Sequence, residues 1–251
     1  MFTPGGLVAG AVAAFFIGIS KTGIPGAGIL SIPLLALVVG GRLIPGVMLP
    51  LLIVADFFAI GWYRRHTRWD LLRPLAIWLA VGFAFGIAFF IVVGSAPGAL
   101  ERTIGAIVLV IIALQLWKMW RESEPQPLGP VTTAGYGTAG GFTTFVANAA
   151  GPVINTYLAG LRLHKSEFLG TAAWLYFVVN VSKIPFYLGL QVWSEGGEFF
   201  AAEGLRYDLV MIPAVVAGVL VGRAIYNRIA QQVFLVVILV LSALGAINLL
   251  F

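Results

Sequence analysis

Two runs, Ala106 to Leu116 and Val233 to Leu241, contain no charged side chain. Neither alternates apolar with polar residues, as the strands of a membrane barrel would. Runs of this kind recur along the whole chain, and only 10% of the 251 residues are charged. Soluble domains carry about 25%. The mean hydropathy is +1.01. In hydrocarbon every backbone N–H and C=O must be satisfied within the protein, and a helix does this segment by segment. The expected fold class is therefore an all-α polytopic membrane protein. A net charge of +5 then reads as basic residues gathered in cytoplasmic loops, not as a nucleic-acid surface. The expected surroundings are membrane lipids, with no nucleic-acid partner.

Against this background the stretch Ile19 to Pro33, ISKTGIPGAGILSIP, stands out. It carries a lysine, two prolines and three glycines inside an apolar region. Such a broken helix is tolerated at membrane depth only where it is buried in protein or lines a cavity. Transporters place their substrate sites at interruptions of this kind.

In order, Pro4 to Ser20 is a first apolar leg, Lys21 to Ala27 the break, and Gly28 to Val39 a short second leg. Pro45–Tyr63, Leu71–Val93 and Thr103–Trp120 are expected spans, with a turn at Ser95-Ala96-Pro97-Gly98. A polar, proline-rich linker follows at Glu122 to Pro130. The pattern then restarts. Val131 to Ala147 is a leg, Asn148 to Pro152 a break and Val153 to Leu161 a short leg. Phe168–Val192, Leu209–Tyr226 and Gln232–Leu250 are the remaining spans, with an acidic loop expected over Ser194 to Arg206. The domain reading is one membrane domain of two repeats, residues 1–121 and 131–251, joined by the linker 122–130.

One offset of 127 residues relates Pro25 to Pro152, Lys21 to Asn148, Asp56 to Lys183 and Gly10 to Gly137. Basic clusters at Arg64–Arg68, Lys118–Arg121, Arg162–Lys165 and Arg223–Arg228 belong on the cytoplasmic face. Each half then makes one hairpin and three crossings, so the second half starts from the opposite face. Two inverted repeats result, with both termini outside; Arg42 is the one basic residue that this scheme misplaces.

Lys21, Asp56 and Lys183 are the charges that do not lie at span ends. A charge at a helix centre costs roughly 2.5–3.5 kcal/mol on insertion scales and marks a pathway or a pair. Asp56 and Lys183 read equally as a buried ion pair or as participants in transport. Helices restarting after Gly26 and after Gly151-Pro152 would point N–H groups and positive dipole ends at the break. With Lys21 and Lys183 they would make an anion site. The candidate binding residues are Ser20, Lys21, Thr22, Gly23 and Gly26 from the first break and Asn148, Ala149 and Gly151 from the second. Trp174, Asn180 and Lys183 join them from the following span, and Asp56 is the coupling or ion-pair residue. Ser31 and Asn155 add polar groups nearby. For any one small polar residue, helix packing is the commoner role, and Trp174 reads more readily as packing than as a ligand contact.

The glycine run Gly135–Gly140 matches a dinucleotide fingerprint but follows no strand. His66 and His164 lie in separate loops, so neither a metal nor another cofactor is expected. No catalytic triad or carboxylate pair lies in the membrane, so the chain is not expected to be an enzyme.

The stretches GISKTGIPGAGILSIPLL (Gly18–Leu35), VANAAGPVINTYL (Val146–Leu158) and EFLGTAAWLYFVVNVSKIP (Glu167–Pro185) carry a resemblance. A glycine-rich break followed by proline and leucines occurs once per half, and the likeness extends over nearly the whole chain. The sequence resembles the TauE/SafE family of sulfite and organosulfonate exporters, including its four-toluene sulfonate uptake permease-like members. That resemblance implies a multi-pass protein of the bacterial inner membrane exporting sulfite, a sulfonate such as sulfoacetate, or thiosulfate. The residues alone reach an inverted-repeat transporter with a positively biased central site; together with the resemblance, the expected function is transport of a small anion by alternating access of one repeat against the other. A carrier of a neutral or cationic solute centred on Asp56, and a non-transporting scaffold, are the rival readings. Proton coupling and a homodimer are both compatible with the sequence.

Overall fold

The computed structural model describes residues 1–39, 43–93, 98–120, 129–161, 163–193 and 200–225, with Val240, Ala243 and Ile247. The expected last span, Gln232–Leu250, the linker core 121–128 and the turn at 94–97 lie outside the described residues, apart from those three.

All regular structure among the described residues is helical. Helix α1 spans Pro4–Thr22, α2 Ser31–Ala36 and α3 Ile44–Tyr63. After these come α4 (Trp69–Val93), α5 (Ala99–Trp120), α6 (Pro130–Ala147), α7 (Ala150–Gly160), α8 (Lys165–Trp193) and α9 (Ala202–Ile225). Five are long and apolar enough to cross a membrane: α1, α3, α4, α8 and α9. Their outward faces carry large bare apolar side chains, such as Val92 and Leu209, which only lipid or another apolar surface would cover.

Local chemistry sets the helix ends. Thr3 caps α1, its Oγ1 accepting from the Gly6 N–H at 3.1 Å, and Pro4 takes the first position, where its missing N–H costs nothing. Pro130 does the same for α6. Of the expected acidic loop, residues 194–199 lie outside the described residues, and its last part is helix. Residues 202–206 are already helical, with Glu203 in the first turn favoured by the helix dipole and Leu205 N–H bonded to Ala201.

The long helices pair across the linker. α1 lies along α9, and α4 along α6. Small residues allow this. A Cβ on Gly18 would sit 2.2 Å from the Val215 carbonyl, and one on Gly218 2.1 Å from that of Phe15. In the other pair, a Cβ on Gly82 would fall 2.2 Å from the Thr138 carbonyl, and one on Gly141 2.2 Å from that of Leu79. Gly10 and Gly137, related by the repeat offset, receive Tyr207 and Trp78 respectively. α3 is the most enclosed of the five long helices and packs on α1, α8 and α9.

Basic residues gather at one end. Arg223 stacks on Trp62 at 4.4 Å, close to Arg64 and Arg65. Thr67 and Arg68 bond to Gly170 and Thr171 near the start of α8, at 3.1 and 3.0 Å. Arg68 also forms a bidentate pair with Asp70, at 2.8 and 3.0 Å.

Candidate functional site

Both expected breaks exist, and they differ. α1 continues through Lys21 and Thr22, two residues further than expected, and stops at Gly23-Ile24-Pro25-Gly26. Gly26 has φ 98°, a conformation open to glycine. The chain restarts as a single 3₁₀ turn, Ala27–Leu30, leading into the six residues of α2. The full α-helical N-terminus expected after Gly26 is therefore absent, and with it most of that dipole. The second break is shorter than expected, because Ala150, Gly151 and Pro152 are already helical. Asn148 ends α6 at φ 53°, the left-handed region that asparagine tolerates better than most residues. α7 then starts at Ala150, with Pro152 in its first turn. The N–H groups of that turn have no acceptor within the helix.

A small cavity of about 50 Å³ lies where the two breaks meet. Ser20, Lys21, Gly26, Gly28 and Ile29 line it from the first break, and Asn148, Ala149, Ala150, Gly151 and Asn155 from the second. Met48 and Leu52 of α3, Thr144 of α6, and Tyr176 and Asn180 of α8 close it. One water needs roughly 10–15 Å³ on this measure, so the space suits about four water-sized groups, the scale of a small oxyanion.

Lys21 is the charge on this wall. Its Nζ lies 2.7 Å from Asp56 Oδ1, with both side chains buried, and 4.2 Å from the centroid of the Tyr176 ring. The Asn180 amide donates to the other Asp56 oxygen, Oδ2, at 2.6 Å. Thr22 and Gly23 pack against Val219 and Gly222 in the last turns of α9, so the first break sits toward that end of the helix, not at its middle. The long Lys21 side chain carries its charge back to Asp56, partway along α3.

The expected pairing of Asp56 with Lys183 is not what forms. Asp56 takes Lys21, from its own half of the chain. Lys183 instead donates to Asn148 Oδ1 and to Thr144, at 3.1 Å to Oγ1 and 3.3 Å to the carbonyl. It is fully buried behind the cavity wall. The Asn148 amide nitrogen donates in turn to the Pro45 carbonyl at 2.9 Å, tying the second break to the start of α3.

Of the expected binding residues, Ser20, Lys21, Gly26, Asn148, Ala149, Gly151 and Asn180 come together at the cavity. Thr22, Gly23, Lys183 and Trp174 do not line it. Thr22 Oγ1 donates to the Val219 carbonyl at 2.8 Å, and Gly23 lets α1 approach Gly222, so both fasten α1 to α9. Trp174 packs on Trp69 at 5.3 Å and on Phe177. Ser31 bonds to the Ala13 carbonyl. Tyr176 and Thr144 were not anticipated. Both had a legible signal. Tyr176, Asn180 and Lys183 follow i, i+4, i+7 spacing on one helical face, and Thr144 precedes Asn148 by four residues. Tyr176 donates from its hydroxyl to Asn155 Oδ1 at 2.8 Å and, more weakly, to the Gly151 carbonyl at 3.3 Å.

Among the described residues no cluster of three or more His, Cys, Asp or Glu side chains could hold a metal ion. In comparison with known proteins, the family model described as sulfite exporter TauE/SafE matches residues 9–249. No curated protein and no solved structure gives a significant match.

Proposed function

The chain belongs to the sulfite exporter TauE/SafE family, a family of membrane transporters, and from that premise we propose that it carries a small sulfur-containing anion across the bacterial inner membrane. Sulfite, thiosulfate and a short sulfonate such as sulfoacetate are the substrates in view, and export is the proposed direction. The observation that carries the reading is the cavity at the meeting of the two breaks, with the Lys21 ammonium on its wall. Lys21 supplies charge, and Asn148 and the first turn of α7 supply position and donors. Lys183 acts from behind by holding Asn148 in place.

A cationic solute fits less well. Asp56, the carboxylate at this site, is already engaged by Lys21 and Asn180.

The proposed cycle is alternating access, with one change from a movement of repeat against repeat. The close helix pairs cross the linker, so the bodies that rock are not the two sequence halves. One body is α1, α2, α3 and α9; the other is α4, α6 and α7, and the cavity lies on the seam between them.

Binding of thiosulfate or sulfite to the purified protein tests the reading. Lys21→Ala alone would strand a buried carboxylate, so it is measured beside Lys21→Ala/Asp56→Asn. Both are expected to lose at least about tenfold in affinity, because a charged hydrogen bond contributes roughly 1.5–3 kcal/mol. Unchanged affinity in the double variant would remove Lys21 from the site.

A further inference from the structure

We infer that Asp56 is the proton-binding group of this protein, and that the anion enters the site together with a proton on that carboxylate. The inference rests on the anion reading above and adds the coupling ion to it; the coupled step is reversible, and export then runs down the anion's own outward gradient. Asp56 is completely buried in α3 and does not line the cavity. Lys21 does line it, and its Nζ lies 2.7 Å from Asp56 Oδ1. In the absence of substrate, Asp56 thus serves as the resident counter-ion of the lysine that lines the cavity.

An anion in the cavity competes with Asp56 for Lys21. As Nζ turns toward it, Oδ1 is left without a partner, since no other group among the described residues donates to it. Only the Asn180 amide remains, on Oδ2. Stranding a buried charge in this way is strongly unfavourable, and a group so placed neutralises itself. The proton goes onto the Asp56 carboxylate, and no bond of the anion is made or broken. Linkage is reciprocal: if the anion favours the proton, the proton favours the anion by releasing Lys21.

The neighbouring elements supply no other group for this task. From α1 the facing charge is Lys21, and from α8 the facing groups are Lys183 and Tyr176, which are bonded to the second break. On α3 itself, Tyr63 lies two turns away at the helix end. From α9, Arg223 stacks on Trp62 and Tyr207 donates to the Gly6 carbonyl. Asp208 is the other buried carboxylate, and both its oxygens lack hydrogen bonds among the described residues. It adjoins Tyr207 at the end of α1 remote from Lys21, and so serves as the control.

The test is calorimetric titration of thiosulfate, and separately of a short alkyl sulfonate, into purified protein near neutral pH. Both anions are fully ionised there, so any proton counted belongs to the protein. Repeating the titration in buffers of different ionisation enthalpy gives the number of protons taken up. About one per anion is expected for the wild type and for Asp208→Asn, and none for Asp56→Asn. The wild-type Kd should weaken by up to about tenfold per pH unit on the alkaline side, while that of Asp56→Asn stays flat. Binding by the wild type without proton uptake overturns the coupling and leaves the anion reading intact. No binding of any sulfur oxyanion removes both. Uptake that vanishes in Asp208→Asn instead assigns the proton elsewhere and overturns this inference. Wild-type proteoliposomes give a measure that does not depend on the folding of Asp56→Asn: an inward proton gradient should speed anion entry several-fold, and an unchanged rate counts against the coupling.

Discussion

Asn148 holds a left-handed backbone turn, accepts from Lys183 and donates to Pro45, so one residue fixes the second break in three ways. Asn148→Gly keeps the turn and loses the side chain; Asn148→Ala loses both. The alanine variant should be the less stable by about 1–2 kcal/mol, the cost of a left-handed residue with a Cβ, read as a lower melting temperature in matched detergent. Tyr176 permits a similar separation. Its ring faces Lys21 and its hydroxyl holds Asn155. Tyr176→Phe should stay near wild type in anion affinity, whereas Tyr176→Leu gives up a desolvated cation–π contact of about 2 kcal/mol. Parallel binding titrations would show the difference. Lys21, Asp56 and Lys183 were legible as important because charges are rare and expensive inside apolar helices. Their partners were not. The repeat offset made Asp56 and Lys183 equivalent, but equivalence under a repeat does not bring two side chains together. The pairing depends on how far the last turn of α1 can reach toward α3, which no spacing along the chain reports.

At the scale of helices, most long apolar segments were readable to within about four residues, because a break of glycine, proline or charge interrupts them, but α9 starts at Ala202, well before the expected Leu209. The close pairs were only half readable. Gly82/Gly86 and Gly218/Gly222 have the spacing of close helix crossings, yet nothing along the chain says that the first pair meets α6 and the second meets α1. These contacts are backbone against small residue, so a larger side chain has nowhere to go. Gly218→Val should cost at least about 1–3 kcal/mol, and Gly82→Val a similar amount at the other seam. Gly61→Val is the matched control, since a Cβ there meets nothing within 4 Å. Thermal stability followed by size-exclusion chromatography would rank the three.

For the whole molecule, the cross-linker pairing predicts how severed halves behave. Residues 1–121 and 131–251, expressed together as separate chains, should copurify, because α1 with α9 and α4 with α6 hold them together. Either half alone should be lost to aggregation or proteolysis. Failure to copurify from the same membrane would mean that these seams do not supply the cohesion ascribed to them. The chain contains no cysteine, so single cysteines at Phe2 and at His66, both exposed enough to react, can report orientation without background. Labelling of the first only from outside and the second only from the cytoplasm is expected. The opposite result would invert the topology.

The α1–α9 seam also bears on synthesis. α1 is made well before α9, and its glycine face fits this partner, which begins about 180 residues later. At about 5–20 residues per second that is a wait of roughly 10–40 s. During it Lys21 can already meet Asp56 on α3, while Gly10 and Gly18 still lack the helix they are shaped to receive. The newborn chain must therefore shelter an incomplete interface in the membrane for most of its own translation, and a ribosome that stalls before α9 leaves behind a product with that interface open.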